Sequence, residues 1–220
     1  MIHAGRPLVL TKYKALFDEG KLDAICYNWF LGTMSSKAII DTLWGKNNPS
    51  GKITMSFPYA VGQIPVYYNH LPTGRPLEKG ISDAYLTKYL DCPNEPLYPF
   101  GYGLSYSHFK YQNLKLKNTQ MTRELSFSIE VLNDSDQAGF ETIQVYIECL
   151  SDIVSRPVNE LKNFKKLWFA PHEAKVVEFS LKRNDLSYYV FGKKHIACGK
   201  YGLKVGPNSK DTIVEYFEVC

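Results

Sequence analysis

The sequence predicts two joined architectures: a partial α/β layer with a parallel sheet, then an antiparallel β-sandwich of immunoglobulin or fibronectin III type. From Gly5 to Gly45, short apolar runs and amphipathic runs follow one another as strand, helix, strand, helix. From about His108 onward, apolar and polar residues alternate strictly. Between these regions lies a stretch rich in proline, glycine and tyrosine that has neither period. The expected units are an α/β portion over 1–57, a linker over 58–106 and a sandwich over 107–220.

In the first unit, "GRPLVLT" (Gly5–Thr11) is apolar enough for a buried parallel strand. "KYKALFDEGK" then gives a helix with Tyr13, Leu16 and Phe17 on one side and Gly20 as its stop. "LDAICYNWF" reads as a second buried strand over Asp23–Trp29. Thr33–Trp44 reads as a helix with Ile39, Ile40, Leu43 and Trp44 on one face, ended by Gly45 and Asn47-Asn48-Pro49. Two strands and two helices cannot cover both faces of a parallel sheet. The edge of this layer is therefore expected to be unpaired, or to be covered by self-association or by the linker and sandwich.

In the third unit, Leu125, Phe127, Ile129 and Val131 point one way and Ser126, Ser128 and Glu130 the other. Ile143, Val145 and Ile147 repeat the pattern after the turn cluster "NDSDQAG", and so do Val177, Phe179 and Leu181, then Tyr201, Leu203 and Val205. Short strands with frequent turns describe a two-sheet sandwich. The cysteines do not supply the inter-sheet disulfide of antibody domains, which favours the fibronectin-like variant.

Composition excludes several functions. The apolar fraction is 45% and the aromatic fraction 14%, enough for a packed core. The net charge of +4 is scattered, with no basic block for nucleic acid, and no apolar run is long enough for a membrane span. Five cysteines without a C-x-x-C pair read as reduced thiols in a cytoplasmic protein, an expectation that the N-terminus, unlike a signal peptide, supports. No metal-ligand spacing or cofactor motif is present, so no metal and no cofactor are expected.

No self-contained catalytic motif stands out. Gly101-x-Gly103 lacks the strand and third glycine of a dinucleotide fingerprint, and Ser105 lacks the second glycine of a nucleophile elbow. His3, His70, His108, His172 and His195 are dispersed and read as surface or loop residues. Retaining glycoside hydrolysis needs two carboxylates about 5 Å apart. The linker offers Glu78, Asp83, Asp91 and Glu95, but nothing places any of them in a pocket, so they read as solvated acids. Asn133-Asp134-Ser135 is a formal glycosylation sequon.

Longer strings carry more information. "NNPSGKITMSFPYAVGQIPVYYNHLPTGRP" (Asn47–Pro76), "KYLDCPNEPLYPFGYGLSYSHF" (Lys88–Phe109) and "SRPVNELKNFKKLWFAPHEAKVVEFSL" (Ser155–Leu181) occur in that order. They resemble, in turn, the end of the second domain, the following segment and the fibronectin III-like domain of family 3 glycoside hydrolases of β-glucosidase type. "GRPLVL" and "LDAICYNWF" fit the α/β sandwich that precedes them in that family.

The resemblance implies retaining hydrolysis of terminal β-glycosides through a covalent glycosyl-enzyme. It also implies that the aspartate nucleophile, on an N-terminal barrel, and the glutamate acid/base both lie upstream of Gly5. Neither role is assigned to a residue of this chain, which is expected to be inactive alone. Where the family has a Pro-Gly turn and then Glu-Gly-Gly, this sequence has Leu31 and then Met34, Ser35 and Ser36. Losing glycines there removes the conformational freedom of a tight strand-to-helix turn.

Three expectations follow: completion of an enzyme with a separate barrel-bearing chain, a non-catalytic carbohydrate- or protein-binding module, or a decayed gene fragment. Tyr68, Arg75 and Tyr98 are the candidates for sugar contact, because tyrosines stack on sugar faces and arginine donates in a fixed fork. "YLDCPNEPLYPFGYGLSY" (Tyr89–Tyr106) is expected to strap the α/β layer to the sandwich rather than to bind a ligand.

Overall fold

The computed structural model describes residues 1–77, 85–151 and 154–220. The α/β portion contributes two helices, α1 (Thr11–Asp18) and α2 (Ser35–Leu43). Gly20, at φ +68°, closes the end of α1, and the Lys21 N–H returns to the Leu16 carbonyl at 2.9 Å. Gly45, at φ +72°, follows α2 in the same way.

The strands expected at Gly5–Thr11 and Asp23–Trp29 do not form a ladder. Thr11 already belongs to α1, and one parallel bridge, Ile2 to Tyr27, is the pairing described here. Its two bonds run from Ile2 N–H to Cys26 O (2.8 Å) and from Asn28 N–H to Ile2 O (2.9 Å). A parallel strand is held by neighbours on both sides, and among the described residues the bridge joins Tyr27 to Ile2 rather than to any residue of Gly5–Thr11, so neither segment becomes sheet. The last residue of the α/β portion covers part of this edge: the Phe57 ring meets Tyr27 edge-on at 4.9 Å and Trp29 at 6.0 Å.

The sandwich follows the alternation. Its strands are β1 (Phe109–Leu116), β2 (Gln120–Met121), β3 (Glu124–Asn133), β4 (Gly139–Cys149), β5 (Glu160–Phe169) and β6 (Ala174–Lys182). They continue with β7 (Tyr188–Val190), β8 (Lys193–His195), β9 (Gly199–Gly206) and β10 (Ile213–Val219). One sheet has the order β1-β3-β6 and the other β2-β10-β9-β4-β5, while β7 and β8 form a hairpin beside them.

Leu125, Phe127, Ile129 and Val131 of β3 face Ile143, Val145 and Ile147 of β4 and Tyr201, Leu203 and Val205 of β9 across one continuous core. Phe127 and Phe179 stack at 5.6 Å on paired strands, and Tyr201 and Phe217 do so at 5.5 Å. Asn133 of the sequon is fully buried. Its amide donates to the carbonyls of Gln137 (2.8 Å) and Ala170 (2.9 Å), so it is a turn-locking residue rather than an exposed glycan acceptor.

Candidate functional site

The joint between layer and sandwich is the most elaborately built part of the molecule. Residues 97–102 run beside residues 53–57: Phe57 N–H donates to Tyr98 O (2.9 Å), Leu97 N–H to Phe57 O (2.9 Å), Ile53 N–H to Tyr102 O (2.8 Å) and Gly101 N–H to Ile53 O (2.8 Å). The chain turns here: Tyr102 N–H donates back to Pro99 O (3.1 Å) and Gly101 has φ +82°, so residues two apart are not held to one face. Tyr98 and Tyr102 stack on each other at 5.0 Å, and Tyr98 meets Phe57 at 6.2 Å, on the layer side. Phe100, between them, points the other way and stacks on Tyr68 at 4.3 Å; Tyr68 in turn meets Tyr146 of β4 edge-on at 5.7 Å.

Three buried or half-buried amides fasten this strap. Asn48 donates to Ser107 Oγ (2.7 Å) and Ala138 O (2.8 Å), and it accepts from Ser105 Oγ (2.8 Å) and Tyr106 N–H (2.9 Å). Gln144 donates to Gly101 O (3.1 Å) and Pro207 O, and it accepts from Tyr146 OH. Gln63 donates to the carbonyls of Pro93 (2.6 Å) and Glu95 (3.1 Å). A buried ion pair, Lys52 to Glu141 at 3.1 Å, also crosses the joint, and Tyr111 OH donates to the same carboxylate at 2.8 Å. Burial, followed by the Glu141 charge, pushes the Tyr111 phenol well above its ordinary range; burial likewise pushes Tyr98 up to about 12.

Of the three sugar-contact candidates, Tyr68 and Tyr98 therefore sit on opposite sides of the strap with their rings packed against other aromatics. Arg75 is exposed, and its carbonyl accepts from Thr87 N–H at 2.9 Å. Among the linker acids, Glu78 and Asp83 lie outside the described residues. Asp91 is at the surface, and Glu95 pairs with Lys210. Leu31, Met34 and Ser36 are exposed, and α2 starts without a side-chain cap. Among the described residues, no group of three or more His, Cys, Asp or Glu is placed to hold a metal ion.

The amide hubs were not singled out in the sequence. Asn48 reads there only as part of a helix stop. Gln144 and Tyr146 did leave a signal: a glutamine and a tyrosine on the outward-facing positions of β4 mark a face that something covers.

The model of the glycosyl hydrolase family 3 C-terminal domain matches residues 1–106, and that of the fibronectin type III-like domain matches residues 141–209. The chain belongs to glycosyl hydrolase family 3. This family 3 chain is 42% identical over 208 residues to a periplasmic β-glucosidase of Salmonella typhimurium, covering 93% of the chain and 26% of the relative. It is 34% identical to a β-xylosidase of Formosa agariphila, covering 94% of the chain and 27% of that protein. The crystal structure of a β-glucosidase from Listeria innocua in complex with glucose superposes with a TM-score of 0.91 at 41% identity, covering 99% of this chain and 30% of the other. The family 3 chain thus spans about a quarter of the length of the curated relatives it matches. No helix among its described residues is long and apolar enough to cross a membrane.

Proposed function

We propose that the chain serves as the C-terminal, non-catalytic portion of a family 3 hydrolase of terminal β-glycosides, inactive by itself and completed by a barrel-bearing segment. One observation carries this: neither α1 nor α2 has a buried residue. Phe30, Met34 and Trp44 are 84%, 66% and 73% exposed, and Ile40 and Leu43 are exposed beside them. An apolar surface of this extent is an interface awaiting its other half, while the joint to the sandwich is already closed by main-chain and amide hydrogen bonds. A strand added beside the Ile2–Tyr27 bridge would turn the extended segments into sheet.

Arg75, with its side chain at the surface, is in this reading the one sugar-contact candidate able to reach a substrate hydroxyl; Tyr68 and Tyr98 hold the joint. The five cysteines are free. That favours a reducing compartment such as the cytoplasm, against the periplasmic name of the Salmonella relative, and cell fractionation decides between them.

The test is to assay the purified chain on aryl β-glucosides and β-xylosides, alone and after co-expression with the upstream portion of a family 3 enzyme. No turnover alone, a stable complex and restored turnover are expected. Turnover by the chain alone, or failure of the two portions to associate, would overturn the proposal.

A further inference from the structure

The outward face of β5 and the end of β4 carry three exposed aromatic rings that the joint does not use. Phe164, Lys166 and Trp168 alternate with inward residues along β5, so all three side chains stand on one face. The register puts Phe140 of β4 opposite Trp168, and Thr142 opposite Lys166. Phe140, Phe164 and Trp168 are 45%, 60% and 48% exposed. At about 3.4 Å per residue, Phe164 and Trp168 stand roughly 14 Å apart along the strand, with Lys166 midway between them on it.

The row is held in place. Lys166 Nζ donates to Ser50 O at 3.2 Å and lies 5.6 Å from the centre of the Phe140 ring, which ties the row to the joint. An ammonium has three donors, so two remain for a ligand. Behind Trp168, Lys175 Nζ sits 5.9 Å from the indole and donates to the Trp168 carbonyl at 2.6 Å, and it pairs with Glu173. Lys165 bonds the Glu178 carbonyl at 2.6 Å across the open side of the sandwich. Lys165 and Lys175 thereby occupy carbonyls of the edge strands, which discourages addition of a protein strand there.

We propose that this platform binds an extended acidic polysaccharide, one whose sugar rings present flat apolar faces and whose backbone carries carboxylates. The three exposed rings stand in a row on one face of the sheet, which suits a ribbon-like chain that can lie across Trp168 with Phe140 and reach Phe164. Aromatic faces carry partial negative charge and attract the polarised C–H groups of a sugar, as they attract cations and the positive edges of other rings. Lys166 sits where a uronate carboxylate would pass between two stacked sugars, and Thr142 adds a hydroxyl beside it. The inference does not depend on the chain completing an enzyme, because the platform lies wholly on the sandwich.

Native-gel affinity electrophoresis of the full chain tests it, with glucuronoxylan, neutral hydroxyethyl cellulose or no polymer cast in the gel. Retardation by glucuronoxylan that exceeds retardation by the neutral polymer, and that weakens with added salt, is expected. Trp168→Ala with Phe164→Ala should weaken binding to glucuronoxylan at least ten-fold. Lys166→Gln should weaken retardation by glucuronoxylan more than retardation by the neutral polymer, and so abolish the preference for the acidic one. All three positions are solvent-facing, and matching urea midpoints verify that each variant is folded. Equal mobility in all gels, retention of binding by the double aromatic variant, or equal binding of single-stranded DNA would overturn the proposal.

Discussion

Gly101→Ala is the sharpest perturbation of the joint. Gly101 has φ +82°, a left-handed conformation that costs an L side chain roughly 1 kcal/mol. Its added Cβ would stand 2.0 Å from Gln144 Oε1 and 2.7 Å from its Cδ. Gln144 is 3% exposed, so it has nowhere to go without abandoning its bonds to Gly101, Pro207 and Tyr146. A buried amide left without partners costs about 1–3 kcal/mol, so the total comes to about 2–4 kcal/mol. Gly192→Ala is the matched control: Gly192 also has a positive φ, +75°, but nothing lies within 4 Å of an added Cβ. It should cost only the backbone term of roughly 1 kcal/mol. With a urea slope of about 2 kcal/mol/M, the midpoint should fall by about 1–2 M for the first variant and about 0.5 M for the second. Equal midpoints for the two variants would refute the idea that Gln144 clamps the strap.

Asn48→Ala removes four hydrogen bonds and should cost about 2–4 kcal/mol. Hydrogen exchange should accelerate over residues 48–57 and 101–107 while the core amides of β3 and β4 keep their protection. Burial pushes the Glu160 carboxyl up, but bonds from Lys162 and Arg156 outweigh it and leave the pKa below the ordinary value. Stability from this group is therefore full above the unfolded pKa of about 4.3 and is lost as pH falls through the lower, folded value. Urea midpoints measured across that range should decline less steeply for Glu160→Gln than for the natural chain. Expression through a eukaryotic secretory route should leave Asn133 without glycan by mass spectrometry. Asn133→Ala should lower stability by about 2–4 kcal/mol, because Gln137 and Ala170 lose their donor.

The sandwich was legible in the sequence because a period of two has one physical cause. When one face of a strand is buried, every second residue must be apolar, as in Leu125, Phe127, Ile129 and Val131, and the structure buries all four. The two helices were legible from their glycine stops. The strands at Gly5–Thr11 and Asp23–Trp29 misread for an equally physical reason: an apolar run records that a segment is suited to a buried sheet, but whether a ladder forms depends on neighbours that the run does not encode. The joint was half legible. Proline, glycine and tyrosine between two periodic regions announced a strap, whereas the partners of Asn48, Gln63 and Gln144 depend on contacts such as Asn48 to Ala138 that no local pattern carries.

The strap's turn at Pro99–Tyr102 explains why such a joint can be stiff without being a sheet. Tyr98 and Tyr102 commit to the layer and Phe100 to the sandwich, so a rotation of the segment that improved one set of contacts would withdraw the other. The backbone cannot slide, because Ile53 and Phe57 bond it on one side and Ser209 N–H bonds Phe100 O at 2.9 Å from the other. Gly101 and Gly103 let the chains close: a Cβ at Gly103 would stand 2.1 Å from the Gly51 carbonyl. Both tyrosines also resist ionisation, Tyr98 because burial and then the neighbouring phenol Tyr102 push it up to about 12. The exposed helices of the layer are thus presented at a fixed angle to the sandwich, so whatever docks on Trp44 and Phe30 also fixes the direction in which the Phe164–Trp168 row faces.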